Sequence, residues 1–398
     1  MIDHATDIEI GGVGFRHLIT TRHGNVTART AIHTTDMPKR QGGVRFVERG
    51  SVEEVAHLAI GMSEKAAAAD VPIDGLKCLI ECPDGVPASV SDRAALVVAH
   101  LRIARRIDSD IIFGPDMLAP ESVLSKVAEE LDLAENVTGL AREHGGIDID
   151  GNGLTALGIF EAISIAFSQK RKTAHVSIQG FGAVGAELAR MLPPMYTVSA
   201  ICNQYRLIRR DKGLDVSKCY AAWRELGDIW ICSVGDHGVE SNNEIDSILT
   251  LPCDILVPAA RTTVIASTEE LEDARKENPH VQAVELIVNA GPPAVIAEAA
   301  NHPITETAER ILEEEGSLIL PDVLINCGGM IGCWFEYENR DTLLSDRLAY
   351  EQSLGVCRSR IRDVVRRNTR AILDARREGR YSRDAARLIC ERRKVHFT

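Results

Sequence analysis

No stretch of this 398-residue chain approaches the roughly 18 consecutive apolar residues that a membrane span requires. The N-terminal stretch MIDHATDIEIGG has neither the basic nor the apolar segment of a signal peptide, so a cytoplasmic protein without membrane contact is expected. The 10 cysteines form no C-x-x-C pair. Scattered through apolar, strand-like segments, as at Cys78, Cys82, Cys202, Cys327 and Cys333, they suit buried thiols in a reducing compartment and argue against disulfides or structural zinc. No ligand cluster for a metal is visible. Basic charge is also short: 45 Lys and Arg face 58 Asp and Glu, a net charge of −13 that disfavours nucleic acid as a partner. The stretch from Cys357 to Lys394 is locally basic. Its arginines are interleaved with Asp363, Asp374, Glu378, Asp384 and Glu391 and with apolar residues at helical spacing, which reads as a solvated helix face. Internal repeats and low-complexity segments are absent.

What is present is length and apolar content, 45% hydrophobic, enough for two soluble domains with separate cores. The most informative stretch is AHVSIQGFGAVGAELARMLPPMYTVSAIC, residues 174–202. A strand-like run (Val176, Ile178) meets Gly180-Phe181-Gly182-Ala183-Val184-Gly185, then a helical pattern (Leu188, Ala189, Leu192), then a second strand from Val198 to Cys202. This is a βαβ unit with G-x-G-x-x-G at its first turn. Gly180 allows the tight turn, Gly182 leaves room for a pyrophosphate and Gly185 lets helix and strand pack closely, while the helix N-terminus offers N–H groups to phosphate. A glycine-rich turn that binds nothing would carry the same residues. The end of the second strand is where a carboxylate usually meets the ribose 2′-hydroxyl of NAD, and where a neutral residue with arginines suits the 2′-phosphate of NADP. The sequence has Asn203-Gln204-Tyr205-Arg206, then Arg209-Arg210. Asn203 and Arg206 favour NADP slightly over NAD, although an ordinary solvated loop accounts for these arginines nearly as well.

Elsewhere, residues 15–35 read as two strands around His23-Gly24-Asn25, and Gln41-Gly42-Gly43-Val44-Arg45 as a glycine turn. Ser51 and Glu54 make a capping box for a helix with an apolar face of Val55, Leu58, Ala59 and Met62; Lys65 lies near its end. A loop over 71–77 brings Lys77 close in sequence, before a strand from Cys78 to Glu81. Helices are expected over 91–107, starting at Ser91, and over 120–132, starting at Pro120-Glu121. Between them a short apolar strand, Asp110 to Asp116, is expected to end in a carboxylate. A helix from Leu154 to about Phe167 leads into the nucleotide-binding unit. Strands are expected at Ile229 to Val234, Ile255 to Pro258, Leu286 to Asn289 and Leu318 to Leu320, alternating with helical patterns as in a parallel, doubly wound sheet. The last 60 or so residues read as long helices.

Lys65, Lys77 and Asp116 lie outside the nucleotide-binding unit, and singly each reads as an ordinary surface lysine or turn carboxylate. As a set they have a chemical use. A buried lysine with a depressed pKa polarises a carbonyl or activates water, a second lysine holds a carboxylate, and an aspartate shuttles a proton. The stretches TARTAIHTTDMPKRQGGVRF, LAIGMSEKAAAADVPIDGLKCLIECPD, FGPDM, LTALGIFEA, SIQGFGAVGAELA, CDILVPAA, AEAANHPIT and LPDVLINCGGMIGCWFE together resemble the Glu/Leu/Phe/Val dehydrogenase family, in its order, and most closely its leucine dehydrogenase-like branch. The resemblance implies an α/β protein of two domains. Residues 1–135 with 331–398 would form a substrate-binding and oligomerisation domain, and 136–330 a Rossmann-type dinucleotide-binding domain. It implies that Lys65 binds the substrate α-carboxylate, Lys77 activates water, Asp116 transfers protons, and Gly42 and Gly43 line the substrate cleft. Thr155 and Asn301 would hold the nicotinamide carboxamide, with Ala259 and the glycine turn also on the cofactor. A homo-oligomer is implied.

Three departures from the family pattern matter. Around Lys77 the family carries Gly-Gly-Ala-Lys-Gly or a close variant, whereas here the run is Asp74-Gly75-Leu76-Lys77-Cys78; Asp74 is expected to raise the lysine's pKa, to contact substrate, or to go with a weakened or altered activity. Position 41, a side-chain-binding lysine in glutamate enzymes, is Gln41, and position 333, a serine there, is Cys333. Gln41, Met330, Cys333 and Leu140 then suggest an apolar pocket with one amide, which argues against glutamate. The expected activity is NAD(P)-dependent interconversion of an L-amino acid with its 2-oxo acid and ammonia. A specialised imine reductase or amine-forming enzyme on the same fold, and a catalytically silent nucleotide-binding subunit, are the alternatives.

Overall fold

The structure, a computed structural model, describes residues 2–10, 13–33, 37–130, 132–167, 173–232 and 240–394. The chain divides into two compact units, one of residues 1–152, 329–360 and 390–398, the other of residues 153–328 and 361–389. This division moves 136–152, 329–330 and 361–389 relative to the expected domains. Val137 bridges to Phe113 and so extends the first unit's sheet. In the second unit Arg383 is anchored on Glu298, Glu309 and Asp322.

The first unit is built on strands β1 (Ile2–Ile10), β2 (Val13–His23), β3 (Val26–His33), β4 (Lys39–Val47), β5 (Ile73–Glu81) and β6 (Ile111–Gly114), in the order β1-β2-β3-β5-β4-β6. The first three are antiparallel, joined as expected through a turn with Gly24 at φ +64°. β4 runs parallel to both β5 and β6. Helix α1 (Val52–Ala68) starts at Ser51, whose hydroxyl accepts from the Glu54 N–H at 3.0 Å. It lays Val55, Ala56 and Ala59 on one sheet face beside Leu79. Helices α2 (Val90–Ile107) and α3 (Glu121–Ala128) cover the other face, where Ala94, Val97, Leu101, Val123 and Leu124 meet Leu76, Cys78, Ile80 and Phe113. α2 is capped by Ser89 rather than by Ser91: the Ser89 hydroxyl accepts from Asp92 N–H at 3.0 Å. α3 ends at Ala128, short of the expected 132.

Two expected irregular segments are strands. The stretch at 41–45, read as a glycine turn, lies inside β4, and 73–77, read as a loop, is the first half of β5. The glycines there serve close approach. A Cβ on Gly42 would lie 1.6 Å from the Leu76 carbonyl oxygen, and one on Gly75 2.1 Å from that of Ala59 in α1.

The second unit carries helix α4 (Leu154–Phe167) and strands β7 (Ala174–Gln179), β8 (Tyr196–Cys202), β9 (Leu207–Arg209), β10 (Glu240–Asn242), β11 (Ile255–Pro258), β12 (Ile265–Ala266), β13 (Gln282–Ala283), β14 (Val295–Ala297) and β15 (Leu318–Leu320). Its main sheet has the order β10-β9-β8-β7-β11-β14-β15, parallel from β8 to β15, with β9 and β10 antiparallel at one edge; β12 and β13 pair separately. Helices α5 (Ala183–Met191), α6 (Val216–Leu226), α7 (Leu271–Glu277), α8 (Val284–Ala290), α9 (Glu306–Glu314) and α10 (Asp322–Ile325) complete it. Helices α11 (Gly328–Ser345), α12 (Arg347–Arg377) and α13 (Ser382–Lys394) follow, the long helical tail expected from the sequence. The strand expected at 229–234 is instead a 3-10 turn over Gly227–Cys232, seated by Trp230 packing on Phe181 at 5.1 Å between rings; 233 and 234 lie outside the described residues. The strand expected at 286–289 is part of α8, because a short apolar run ended by Gly291 fits either element. None of the ten cysteines forms a disulfide, and burial fails at Cys232, which is exposed, and at Cys253, which is half-buried. Among the described residues, no helix is long and apolar enough to cross a membrane.

The buried Arg383 guanidinium pairs with Glu309, with Glu298 at 2.5 Å and with Asp322 at 2.7 Å. Arg383→Met is expected to cost on the order of 3–5 kcal/mol in urea unfolding at pH 7, because three buried carboxyls lose their shared cation. The deficit should shrink as the pH is lowered and Glu298, whose burial pushes its carboxyl well above the ordinary value, takes up a proton.

Candidate functional site

In the first unit the parallel register sets Gly43 of β4 opposite Gly114 of β6 on one side and, by the same alignment, beside Lys77 of β5 on the other. A Cβ on Gly43 would lie 2.7 Å from the Asp116 Cβ and 3.2 Å from the Lys77 Nζ. Its absence lets Lys77 and Asp116 meet across the intervening strand, where the ammonium donates to the carboxylate. Asp116 is held in a tight turn: its carbonyl accepts from Ala119 N–H at 2.9 Å and Leu118 takes φ +60°. Arg45, two residues after Gly43 and on the same strand face, donates to Asp116 through Nε at 3.2 Å and Nη2 at 3.5 Å. Sequence reasoning passed over Arg45. The signal was its even spacing from Gly43, visible only once 41–45 is a strand.

Burial drives the pKa of Lys77 below the ordinary lysine value; the carboxylate of Asp116 opposes this, and the cations of Arg45 and Lys65 reinforce it. Burial by itself would raise the Asp116 carboxyl, but Lys77 and Arg45 outweigh that and hold it down at about 2. Lys65, in the last turn of α1, is thus near enough for its charge to act on Lys77. Asp74 does not raise the lysine as expected. The two are three positions apart on one strand, an odd interval, so they point to opposite faces. Asp74 is buried with Leu76 and Cys78 on the α2 side and accepts from Met37 N–H at 3.2 Å.

Gln41 shares the Lys77 face of the sheet and is 2% exposed, and its Oε1 has no hydrogen-bond partner among the described residues. Cys333 and Met330, one helical turn apart on α11, are both buried. Thr138 Oγ1 donates to the Cys333 carbonyl at 2.7 Å, and a Cβ on Gly139 would lie 2.2 Å from Pro115 and 3.6 Å from Cys333 Sγ, so the thiol sits beside the turn that carries Asp116. Burial keeps that thiol protonated, with a pKa well above the ordinary value. Leu140 departs from expectation: its side chain belongs to the core under α2 and α3. Glu336, also unflagged by the sequence, organises this segment by accepting from Leu140 N–H at 3.1 Å and Ile147 N–H at 3.2 Å. Its burial lifts its pKa to about 7 against those bonds and the charge of Arg340.

In the second unit Gly180 follows β7 at φ +99°, where a Cβ would lie 2.8 Å from the Ala260 backbone. A Cβ on Gly185 would lie 2.0 Å from the Gly180 carbonyl oxygen, so α5 packs hard on the turn. Gly182 caps α5 without any side-chain bond, and its Cβ direction opens on empty space. Uncapped N–H groups beside an open cradle fit the pyrophosphate of a dinucleotide. Gly180, Phe181, Gly182, Asn203 and Ala259 line one pocket, with Gln204, Asp228, Asp246, Arg261 and His280, which the sequence did not single out. The Phe181 ring turns inward onto Trp230, so its backbone faces the pocket. Ala183 and Val184 form the first turn of α5. Thr155 lies in the first turn of α4, and a Cβ on Gly328 would lie 3.1 Å from its Cα; Asn326, two residues before Gly328, donates to Asn301 at 3.1 Å. Asn203 is buried and committed: Nδ2 donates to the Asp228 carbonyl at 2.6 Å, and Oδ1 accepts from Tyr205 N–H at 2.9 Å and Arg206 N–H at 3.3 Å. Arg206 does not line the pocket, and Arg209 pairs with Glu240 at 2.9 Å. Among the described residues no group of three or more His, Cys, Asp or Glu is placed to hold a metal.

Residues 145–392 match the family model described as glutamate/leucine/phenylalanine/valine dehydrogenase, and residues 13–131 the model of that family's dimerisation domain. The NAD-specific glutamate dehydrogenase of Staphylococcus aureus is 28% identical over 327 residues, covering 78% of this chain and 72% of that protein. The NADP-specific glutamate dehydrogenase A1 of Halobacterium salinarum is 27% identical over 312 residues, covering 75% and 69%. In fold the chain is similar to the hetero-hexameric glutamate dehydrogenase of Thermus thermophilus, with TM-score 0.72, 23% identity and 94% and 84% of the two chains covered. It is also similar to the L-tryptophan dehydrogenase of Nostoc punctiforme, with TM-score 0.60, 22% identity and 96% of each chain covered. These relatives do not carry the leucine dehydrogenase-like branch that the sequence motifs suggested.

Asp116→Asn is expected to lower stability by about 2 kcal/mol at pH 7, since a carboxyl held near 2 instead of 3.8 favours the folded state. That contribution is present above the unfolded value and is lost as the pH falls through the folded one. Urea melts of the two proteins should therefore differ at pH 5–7 and converge as the pH approaches 2.

Proposed function

We propose, for a chain that belongs to the glutamate/leucine/phenylalanine/valine dehydrogenase family, the reversible oxidative deamination of an L-amino acid with an apolar side chain to its 2-oxo acid and ammonia. The observation that carries the reading is the buried lysine with a lowered pKa, hydrogen-bonded to an ionised aspartate beside an arginine. Lys65 would hold the substrate α-carboxylate at the edge of this group. A bound nicotinamide dinucleotide would take the hydride from the substrate Cα, leaving an imine. Lys77 acts next: burial and the neighbouring cations favour its neutral form, which draws a proton from water as the oxygen attacks the imine carbon. Asp116 is a poor base while two cations face it. Once Lys77 is neutral one of those cations is gone, and the carboxylate can take up an amine proton and return it to the departing nitrogen. Ammonia leaves as the carbonyl forms, and one water is consumed.

The side-chain preference rests on Gln41, Met330 and Cys333. None carries a charge to pair with a second substrate carboxylate, and the one lysine beside Gln41 on its strand face, Lys39, is bound to Asp110 at 2.8 Å. The cofactor is a nicotinamide dinucleotide held by residues 180–185 with Asn203 and Ala259, and with Thr155 and Asn301 toward its nicotinamide end. A soluble cytoplasmic homo-oligomer assembled through the first unit completes the reading. The imine reductase alternative drew on Asp74, which faces away from Lys77.

Consumption of NADH and NADPH, assayed with ammonia over aliphatic, aromatic and acidic 2-oxo acids, tests the reaction. Turnover of an apolar 2-oxo acid that requires ammonia is expected; turnover of a preformed imine alone, or cofactor binding with no turnover, would overturn it. Lys77→Ala should lower kcat by roughly 10²–10⁴-fold while dinucleotide binding is unchanged. Gln41→Lys should raise kcat/KM for acidic over apolar 2-oxo acids.

A further inference from the structure

We propose that Asp228, reached from the turn after α6, supplies the carboxylate that reads the adenosine ribose in place of the one missing at the end of β8, and that this chain is therefore selective for NAD over NADP. The inference rests on the dinucleotide-binding reading of the glycine turn given above. Three observations carry it. Asp228 lines the same pocket as Gly180, Gly182 and Gln204, so a group bound at the glycine turn has this carboxylate within its pocket. Its position is built: the buried Asn203 amide, at the end of β8, donates to the Asp228 carbonyl at 2.6 Å, tying the turn that carries the carboxylate to the strand end where a ribose-binding acid usually stands. The Gln204 amide lies 3.4 Å from the Asp228 carboxylate and orients it from the same strand end.

The charge around that position points the same way. A ribose diol donates two hydrogen bonds and is well served by a carboxylate, whereas a 2′-phosphate brings roughly −1.5 to −2 further charge and would meet like charge. Of the cations named from the sequence, Arg206 is not in the pocket lining and Arg209 is paired with Glu240. Of the groups that do line it, Arg261 donates to the neutral Asn278 side chain at 3.4 Å, and the His280 ring is hydrogen-bonded to Asp246, a second carboxylate of the lining, at 3.0 Å. Asn203, which as a neutral residue suggests NADP in the sequence, is here the group that holds an acid in place. Selectivity arises by repulsion of the phosphorylated cofactor as much as by attraction of the other.

The test is direct titration of the full-length protein with NADH and with NADPH, followed by quenching of tryptophan fluorescence and by calorimetry. The wild type should bind NADH at least tenfold more tightly than NADPH. Asp228→Ser should shrink that ratio at least tenfold, with NADPH binding improved, while Asp228→Glu should keep the preference; Asp228 is exposed, so unfolding temperatures should be unchanged. A wild type that prefers NADPH, or a serine variant with an unaltered ratio, would overturn the assignment. NADH binding without turnover of any 2-oxo acid would overturn the proposed reaction and leave Asp228 standing. Turnover with NADPH preferred would do the reverse, and failure to bind either dinucleotide would overturn both.

Discussion

The arrangement of the first unit depends on one steric permission. Lys77 lies on β5 and Asp116 in the turn just after β6, two strands separated by β4, and neighbouring strands lie roughly 4.8 Å apart, so these strands stand about 10 Å from each other. Any side chain on the middle strand would occupy the space in which they meet. Gly43 leaves it empty, and the pair closes over the backbone of β4. Arg45 then reaches the same carboxylate from the next outward-facing position on the middle strand. Three residues distant in sequence become one ionic group because the strand order is β5-β4-β6 and the register is parallel.

The electrostatic character of that group follows from its enclosure. α1 is pressed onto the sheet at Gly75 and brings Lys65 toward Lys77. Two cations beside a buried ammonium, with a single carboxylate among them, leave the lysine inclined to lose its proton and the aspartate inclined to keep its charge. A proton can then pass within the group without a large change in its total charge.

Both units also use buried carboxyls to place segments that apolar packing alone would leave loosely specified. Glu336 collects backbone N–H groups from 140 and 147 and so presses Gly139 onto Pro115, next to the Asp116 turn. In the second unit Glu298, Glu309 and Asp322 converge on Arg383 and anchor the start of α13. Such groups contribute little net stability against an apolar alternative, but breaking one leaves the rest buried and unpaired. They make the position of a segment definite rather than merely favourable.

The G-x-G-x-x-G turn, the capping box at Ser51, the hairpin at Gly24 and the helical tail were legible in the sequence, because each rests on local backbone chemistry that a few adjacent residues impose. Lys65, Lys77 and Asp116 were legible as residues through their motifs. Their surroundings were not. Gln41 to Arg45 and Ile73 to Lys77 look like glycine-rich turns, yet they are strands, since a glycine that makes room for a neighbouring backbone has the same local signature as one that bends its own. The 3-10 turn at Gly227–Cys232 and helix α8 were misread for a related reason: short apolar runs fit several elements, and the ring of Phe181 or the end at Gly291 decides among them. By itself the sequence determined the two-domain α/β character, the glycine turn after the first strand of the second unit and the choice of Lys65, Lys77 and Asp116 as candidate residues. Only the tertiary structure decided that Arg45 joins Asp116, that Asp74 faces away from Lys77 and that Asn203 holds Asp228, because strand register and the packing of distant turns are settled by contacts between residues that the sequence keeps far apart.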